Sequence, residues 1–195
     1  MKQWEPLLTL GISLLLVTTV SASPAKPALL NSVQTISGKA VNLNSLPGWK
    51  VIYFWTDGCP CVKACEHYSF LPLAKKYHGK VTFFAVASSR YDLNQGNEKL
   101  KVAVSAHRLP YEVLLDPKHQ LAQALSAQVT PQTFLLNPAG QIVFSGMPDD
   151  SRRYLTATGK QGFTQTYLSV ALAEGLAGKR ITLSHTENQG CIIAW

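Results

Sequence analysis

Charge is scarce in this chain: only 15% of its 195 residues are Asp, Glu, Lys or Arg. Eleven acidic residues face eighteen basic ones, and the resulting +7 is spread thinly. Nucleic-acid binding needs basic side chains gathered into a stripe, so no nucleic-acid partner is expected. Long apolar runs are lacking too. The N-terminal run Leu7 to Val17 is about half of the ~20 residues a membrane span needs. Cysteine is sparse at four, too few for a disulfide scaffold. No internal repeat is present. Against these absences, 46% of the residues are apolar and 9% aromatic, which supplies a buried core and excludes global disorder. The length suits one domain.

The N-terminus reads as an address. Lys2 precedes the apolar run, and the small residues Thr18-Thr19-Val20-Ser21-Ala22 follow it. This is the pattern of a cleavable signal peptide over 1–22, with cleavage expected after Ala22. No cysteine stands at the cleavage site to carry a lipid. A secreted or periplasmic protein with no stable membrane span after cleavage is the expectation. Export leaves all four cysteines in an oxidising compartment, where disulfides persist.

Residues 23–32, with two prolines, read as a linker, and 33–180 as the domain. Val33–Ile36 and Ala40–Leu43 flank Ser37-Gly38-Lys39 as a hairpin. Trp49 to Trp55 is a nearly continuous apolar run, suited to a central strand buried on both faces. A helical segment then runs to about His78, with Pro72 expected to kink or split it. Further strands are expected at 81–87, 112–115, 132–136 and 141–144, with helices near 96–107, 118–126 and 162–175. A tail follows at 181–195. This alternation predicts an α/β fold: a central mixed sheet flanked by helices, with an N-terminal β-hairpin.

Three of the four cysteines fall within Cys59-Pro60-Cys61-Val62-Lys63-Ala64-Cys65, where the buried strand gives way to a helix. Free backbone N–H groups and the helix dipole stabilise an anion there, so a thiolate forms at lower pH. The thiolate is the nucleophile of disulfide exchange and the species that peroxides oxidise. Cys59 stands first in line, and Lys63 sets a cation one turn on. Cys191, in the tail, is read as a resolving or structural partner of Cys59, Cys61 or Cys65, and spacing does not choose among the pairings. Ile192, Ile193 and Trp195 are expected to dock the tail by apolar burial.

The segment Phe54-Trp55-Thr56-Asp57-Gly58-Cys59-Pro60-Cys61 resembles the active-site stretch of thioredoxin-fold proteins, and Thr130-Pro131 resembles that fold's cis-proline. Within the fold, the chain is most similar to the redoxin, or alkyl hydroperoxide reductase/thiol-specific antioxidant-like, family. The features shared with its secreted Cys-Pro-Cys members are Cys59-Pro60-Cys61, Thr130-Pro131, Gly146-Met147-Pro148-Asp149-Asp150 and Gly190-Cys191-Ile192-Ile193. The resemblance implies a thiol-based oxidoreductase acting on peroxide or a protein disulfide. Its nucleophile would be Cys59, with Cys61, Cys65 and Cys191 as further redox cysteines and Thr56, Pro60, Thr130 and Pro131 shaping the site. It implies no cofactor and a thiol reductase or thioredoxin-like electron donor as partner. The chain departs from the family in two places. Ile52 stands where the peroxiredoxin motif has proline, and no arginine maps onto the peroxide-binding position, Arg90 being the nearest guess.

Two other readings compete. Cys61 and Cys65, one turn apart, resemble the copper(I)-binding pair of Sco-type chaperones. Those proteins also need a histidine near the pair, and His107 and His119 fall on elements elsewhere. The third reading is a thioredoxin-like scaffold with structural disulfides only. Glu66 and His67 are expected on a solvated helix face, Asp149-Asp150 in a loop or capping turn, and Tyr91, Arg152 and Arg153 on the surface.

Overall fold

A computed structural model of the chain describes residue 1 and residues 31–195, the side chains of 153 and 154 excepted. The signal peptide expected at 1–22 and nearly all of the linker expected at 23–32 lie outside the described residues. Among the described residues no helix is long and apolar enough to cross a membrane.

Five strands form the central sheet in the order β5-β4-β3-β7-β8. β3 (Trp49–Trp55), β4 (Val81–Ala87) and β5 (Val113–Leu115) run parallel. β7 (Thr133–Leu136) is antiparallel to β3, and β8 (Ile142–Gly146) to β7. The middle strand β3 is apolar but for Lys50, whose ammonium is held by the Leu46 and Gly48 carbonyls, because both its faces are covered. Val51, Tyr53 and Trp55 enter one core, while Ile52 and Phe54 enter the other. On the first face pack α1 (Pro60–Cys65), α2 (Leu71–Lys76), α4 (Asn97–His107) and α7 (Tyr167–Leu176). The second face is closed by α5 (Gln120–Leu125), the short hairpin β1–β2 (Val33–Gln34 and Ala40–Val41), and Ile193 from the tail.

The segment expected to kink or split at Pro72 is divided just before it. A π-helical turn, Glu66–Phe70, joins α1 to α2, and the Leu71 N–H reaches back five residues to the Glu66 carbonyl. A proline ring collides with the carbonyl four residues before it. The wider turn ahead of Pro72 relieves that clash without breaking the rod. It also turns Glu66, Ser69 and Phe70 inward. Glu66, expected on the solvated face, is therefore buried at 4% exposure, while His67 is exposed as expected.

Two helices lie where none was expected, α3 (Arg90–Leu93) and α6 (Ser151–Thr158). The helix expected from 162 starts only at Tyr167. Asp150 accounts for the delay. Its carboxylate accepts from the Thr164 and Gln165 N–H groups at 2.7 and 2.8 Å and from the Thr164 hydroxyl at 2.6 Å, holding this stretch out of the helix.

The tail first follows the outer edge of β8, where Ser145 N–H donates to Ser184 O and Thr186 N–H to Ser145 O. It then crosses to form β9 (Cys191–Ile192), antiparallel to β6 (Val129–Thr130), with Thr130 opposite Cys191. Ile193 docks it, fully buried. Ile192 does not, being 81% exposed with its side chain on the outer side of β9. Trp195 keeps 45% exposure and meets His119 edge-on at 4.9 Å.

Candidate active site

β3 delivers the chain to the sheet's carboxyl end, where Thr56-Asp57-Gly58 turns it into α1. Cys59 is the N-cap of that helix, with Pro60 opening the first turn, where its missing N–H costs nothing. The Thr130–Pro131 peptide, which is cis, lies opposite. As a thiol, Cys59 donates to the Thr130 carbonyl at 3.5 Å. β9 brings the fourth cysteine to the same point, setting Cys191 opposite Thr130, and both the Cys61 and Cys191 thiols act on the acidity of Cys59. All four cysteines are free thiols.

This clustering sets the acidities. The neighbouring Cys61 thiol does most to bring the Cys59 pKa down, to about 4, against the cost of burial. Cys191, the Val62 N–H and Thr130 add to the effect. Hydrogen bonding to an anion favours the anion, and the donors are held back in return. Cys61 is pushed up by its bond to Cys59, then by burial. Cys191 is pushed up to about 11 by burial first and then by its bond to Cys59. One thiolate is thus concentrated on Cys59, with two protonated thiols against it.

Arg152 is the cation here. Its charge favours the thiolates of both Cys61 and Cys191. It stands in the first turn of α6, which packs on α1. Arg152 was expected only as a surface residue. It is exposed, but a polar helix following Asp149-Asp150 gave no sign that it would lie against α1. Arg90, the guess from sequence, is exposed, and its backbone N–H is used to hold the Ala194 carbonyl. Lys63 is exposed as well and lines a separate cleft.

Cys65 faces elsewhere. Its sulfur lies 3.7 Å from Asp149 Oδ1 and 3.7 Å from Ser151 Oγ, fully buried, and burial raises its pKa well above the usual thiol value. Asp149, expected in a loop or capping turn, also accepts from Ser69 Oγ and, at the start of α6, from Ser151 N–H at 2.9 Å. These contacts fasten the start of α6 to the rod of α1 and α2.

Behind the thiols runs a second polar network that the sequence reading did not foresee. Glu66 Oε1 accepts from Trp55 Nε1 at 3.0 Å and Tyr53 OH at 3.2 Å, and Oε2 meets His107 Nδ1 at 2.5 Å. His107 Nε2 reaches Asp57 Oδ1 at 3.2 Å, so this histidine, expected on a distant element, sits beneath the active-site turn. A signal was present: buried Tyr and Trp side chains require partners for their polar atoms, and Tyr53 and Trp55 share one face of β3. The Asp57 N–H donates to Oδ1 of the buried Asp92 at 3.0 Å. Asp57, Lys63, Glu66 and His107 border a cleft of about 770 Å³ against α4, with none of the cysteines in its wall.

The copper reading finds less here. Among the described residues no group of three or more His, Cys, Asp or Glu side chains is placed to hold a metal ion. Cys61 meets Cys59, whereas Cys65 meets Asp149 and Ser151.

A thioredoxin-like fold with cysteines at the start of its first long helix, facing a cis-proline, defines the class. The sequence pattern of the AhpC/TSA family matches residues 24–145, and the chain belongs to that family. It is 26% identical over 120 residues to the sporulation thiol-disulfide oxidoreductase A of Bacillus subtilis, spanning 61% of this chain and 70% of the relative. Thiol-disulfide oxidoreductase ResA of the same organism is 29% identical over 116 residues, spanning 57% of this chain but only 60% of that one. An uncharacterised conserved protein from Geobacillus kaustophilus shares the architecture almost throughout. Its TM-score is 0.76 at 25% identity, covering 89% of this chain and 92% of the other. StoA from Bacillus subtilis aligns less fully, at TM-score 0.51 and 24% identity over 64% of this chain and 90% of its own.

Proposed function

We propose that this chain is an exported thiol-disulfide oxidoreductase of the redoxin type, with Cys59 as its nucleophile. The observation that carries the reading is the placement of Cys59 at the start of α1 against the Thr130 carbonyl and the cis Thr130–Pro131 peptide, with Cys191 opposite Thr130 and the Cys59 pKa brought down to about 4. The two curated relatives, both named thiol-disulfide oxidoreductases, support the same chemistry.

The Cys59 thiolate attacks one sulfur of a partner disulfide. A Cys59–partner bond forms, and the second partner sulfur leaves as a thiolate. Cys191 or Cys61 then attacks the Cys59 sulfur and displaces the partner as its second thiolate. The partner gains two electrons and the enzyme retains an internal disulfide, which an external thiol reductase or thioredoxin-like donor must reduce. The cycle runs on thiols alone, without metal or cofactor. Cys65 supports the site by packing. Thr130 and Pro131 border the approach to Cys59, and Pro60 with the Thr56-Asp57-Gly58 turn, held by the Asp57 N–H on Asp92, presents it. Residues 33–180 serve as the catalytic domain, with 181–195 a functional tail, and a signal peptide over 1–22 with cleavage after Ala22 would deliver both to the cell exterior or periplasm.

Peroxide is a second oxidant that the same thiolate could meet, and the AhpC/TSA match together with the Arg152 charge favours testing it. Fully reduced protein would be given equimolar hydrogen peroxide or a protein disulfide, and the products mapped by peptide mass. A Cys59-containing disulfide formed rapidly with the protein disulfide supports the proposal. Fast oxidation by peroxide, orders of magnitude above free cysteine, would add peroxidase activity. No Cys59-containing product with either oxidant would overturn the proposal.

A further inference from the structure

The tail does more than carry a thiol to the site: it occupies a strand position. Among the named strands β6 pairs with β9 alone, so without the tail its edge would be open. An open strand edge is a template for an extended chain, with backbone hydrogen bonds supplying the affinity. The pairing puts Cys191 directly opposite Thr130 and delivers its sulfur to Cys59. Any external cysteine brought to Cys59 along this edge must take the same place. Beyond β9 the tail is held by the Ile193 N–H on Gln128 O at 2.9 Å, by the Arg90 N–H on Ala194 O at 3.0 Å, and by burial of Ile193.

Gly190 gives the position its selectivity. A Cβ built there would collide with the Thr130 carbonyl and would lie 3.4 Å from Pro131 N. These atoms are backbone and cannot swing aside, so the residue before a cysteine in this register must be glycine.

Resting on the thiol-exchange reading above, we infer that β9 is an internal stand-in for the partner. The partner docks as an extended Gly-Cys segment on the β6 edge in place of the tail, and the returning tail expels it. In that second step the Cys191 thiolate attacks the Cys59 sulfur of the mixed disulfide. The Cys59–Cys191 bond forms, the Cys59–partner bond breaks, and the partner leaves as a thiolate that takes up a proton. Resolution and release become one event, because the strand that carries the attacking sulfur displaces the strand that carries the leaving one.

The test uses the reduced full chain and two hexapeptides. One is the tail sequence Asn-Gln-Gly-Cys-Ile-Ile, its cysteine disulfide-linked to 2-nitro-5-thiobenzoate; the other carries Ala in place of Gly. Release of the coloured thiolate reports attack by the protein. The glycine peptide should react at least about tenfold faster than the alanine one, as expected for overpacking against immobile atoms. A Gly190→Val chain, whose own tail cannot pair, should take the glycine peptide about tenfold faster than the unaltered chain and release it more slowly. Equal rates for the two peptides on the unaltered chain overturn the inference, and that comparison holds whether or not the variant folds. An unchanged peptide rate in a folded Gly190→Val chain overturns it too. The symmetric disulfide of the same chromophore has no backbone to pair and separates the two claims. If Cys59→Ser reacts with it as fast as the parent does, the thiol-exchange reading itself fails.

Discussion

Glu66 and His107, 41 residues apart in sequence, meet at 2.5 Å beneath the active-site turn, each with its side chain only 5% exposed. The bond to Glu66 is the main cause that raises the His107 pKa, with burial opposing and Asp57 adding to the rise. A histidine whose pKa rises on folding binds its proton more tightly in the native state. Its contribution to stability is therefore complete below the unfolded value of about 6.5 and is lost as pH climbs through the raised native value. Thermal unfolding followed from pH 6 to 9 in a Cys59→Ser background, which removes the opposite contribution of the Cys59 thiolate, should show the midpoint falling on the alkaline side, with the slope flattened when His107→Gln is added. Removing one member of a buried pair leaves the other uncompensated, so Glu66→Leu should cost about 3 kcal/mol. A midpoint independent of pH in the Cys59→Ser protein would contradict this account.

The acidity of Cys59 predicts its reactivity profile. With a pKa of about 4, the thiolate is fully formed at neutral pH, so the alkylation rate of Cys59 should be flat from about pH 5.5 upward. The Cys61 thiol is the largest cause of that acidity. In Cys61→Ala the inflection should move up by at least about one pH unit. Thiolate absorbance in the ultraviolet and mass-resolved alkylation would both register the change. An inflection near the ordinary thiol value of about 8.5 in the parent would remove Cys59 from the nucleophile's role.

Some of this was legible in the sequence and some was not, for identifiable reasons. β3 and β4 fall where their apolar runs placed them, because a strand buried on both faces is written as continuous hydrophobic residues. Cys191 lies opposite Thr130, beside Cys59, a partner that spacing had left open among Cys59, Cys61 and Cys65. Glu66 escaped because its direction depends on the π-helical turn, which inserts a residue and rotates the helix face. Arg152 escaped because its importance comes from α6 packing against α1, held through Asp149, Ser151 and Cys65. Those contacts join segments more than 80 residues apart, and no local periodicity records them.

Cys65 should behave as a structural thiol. It is fully buried, and its sulfur holds the start of α6 through Asp149 and Ser151. Burial is the chief reason its thiol stays protonated, so it is a poor nucleophile in the folded protein. Cys65→Ala should keep most of the disulfide-exchange rate and lower stability by about 1–2 kcal/mol, the range for losing a buried contact of this kind. Alkylating reagent should label Cys65 only after denaturation. A loss of exchange activity comparable to that of Cys59→Ser, in a folded variant, would show that Cys65 enters the redox cycle.

Arg152 acts on the second half of the cycle. Its charge favours the thiolates of Cys61 and Cys191, the two sulfurs that must ionise to attack the mixed disulfide. The first attack, by a Cys59 already ionised, has much less to gain from it. The guanidinium is exposed and screened by water, so its effect is modest, about threefold in rate. Arg152→Ala should leave mixed-disulfide formation nearly unchanged, slow the closing of the internal disulfide by about that factor, and reduce its sensitivity to salt. Arg152→Lys, which keeps the charge, should restore most of the rate. Stopped-flow traces that separate the two steps decide the matter: equal slowing of both would mean that Arg152 serves the fold of α6 rather than ionisation of the resolving thiol.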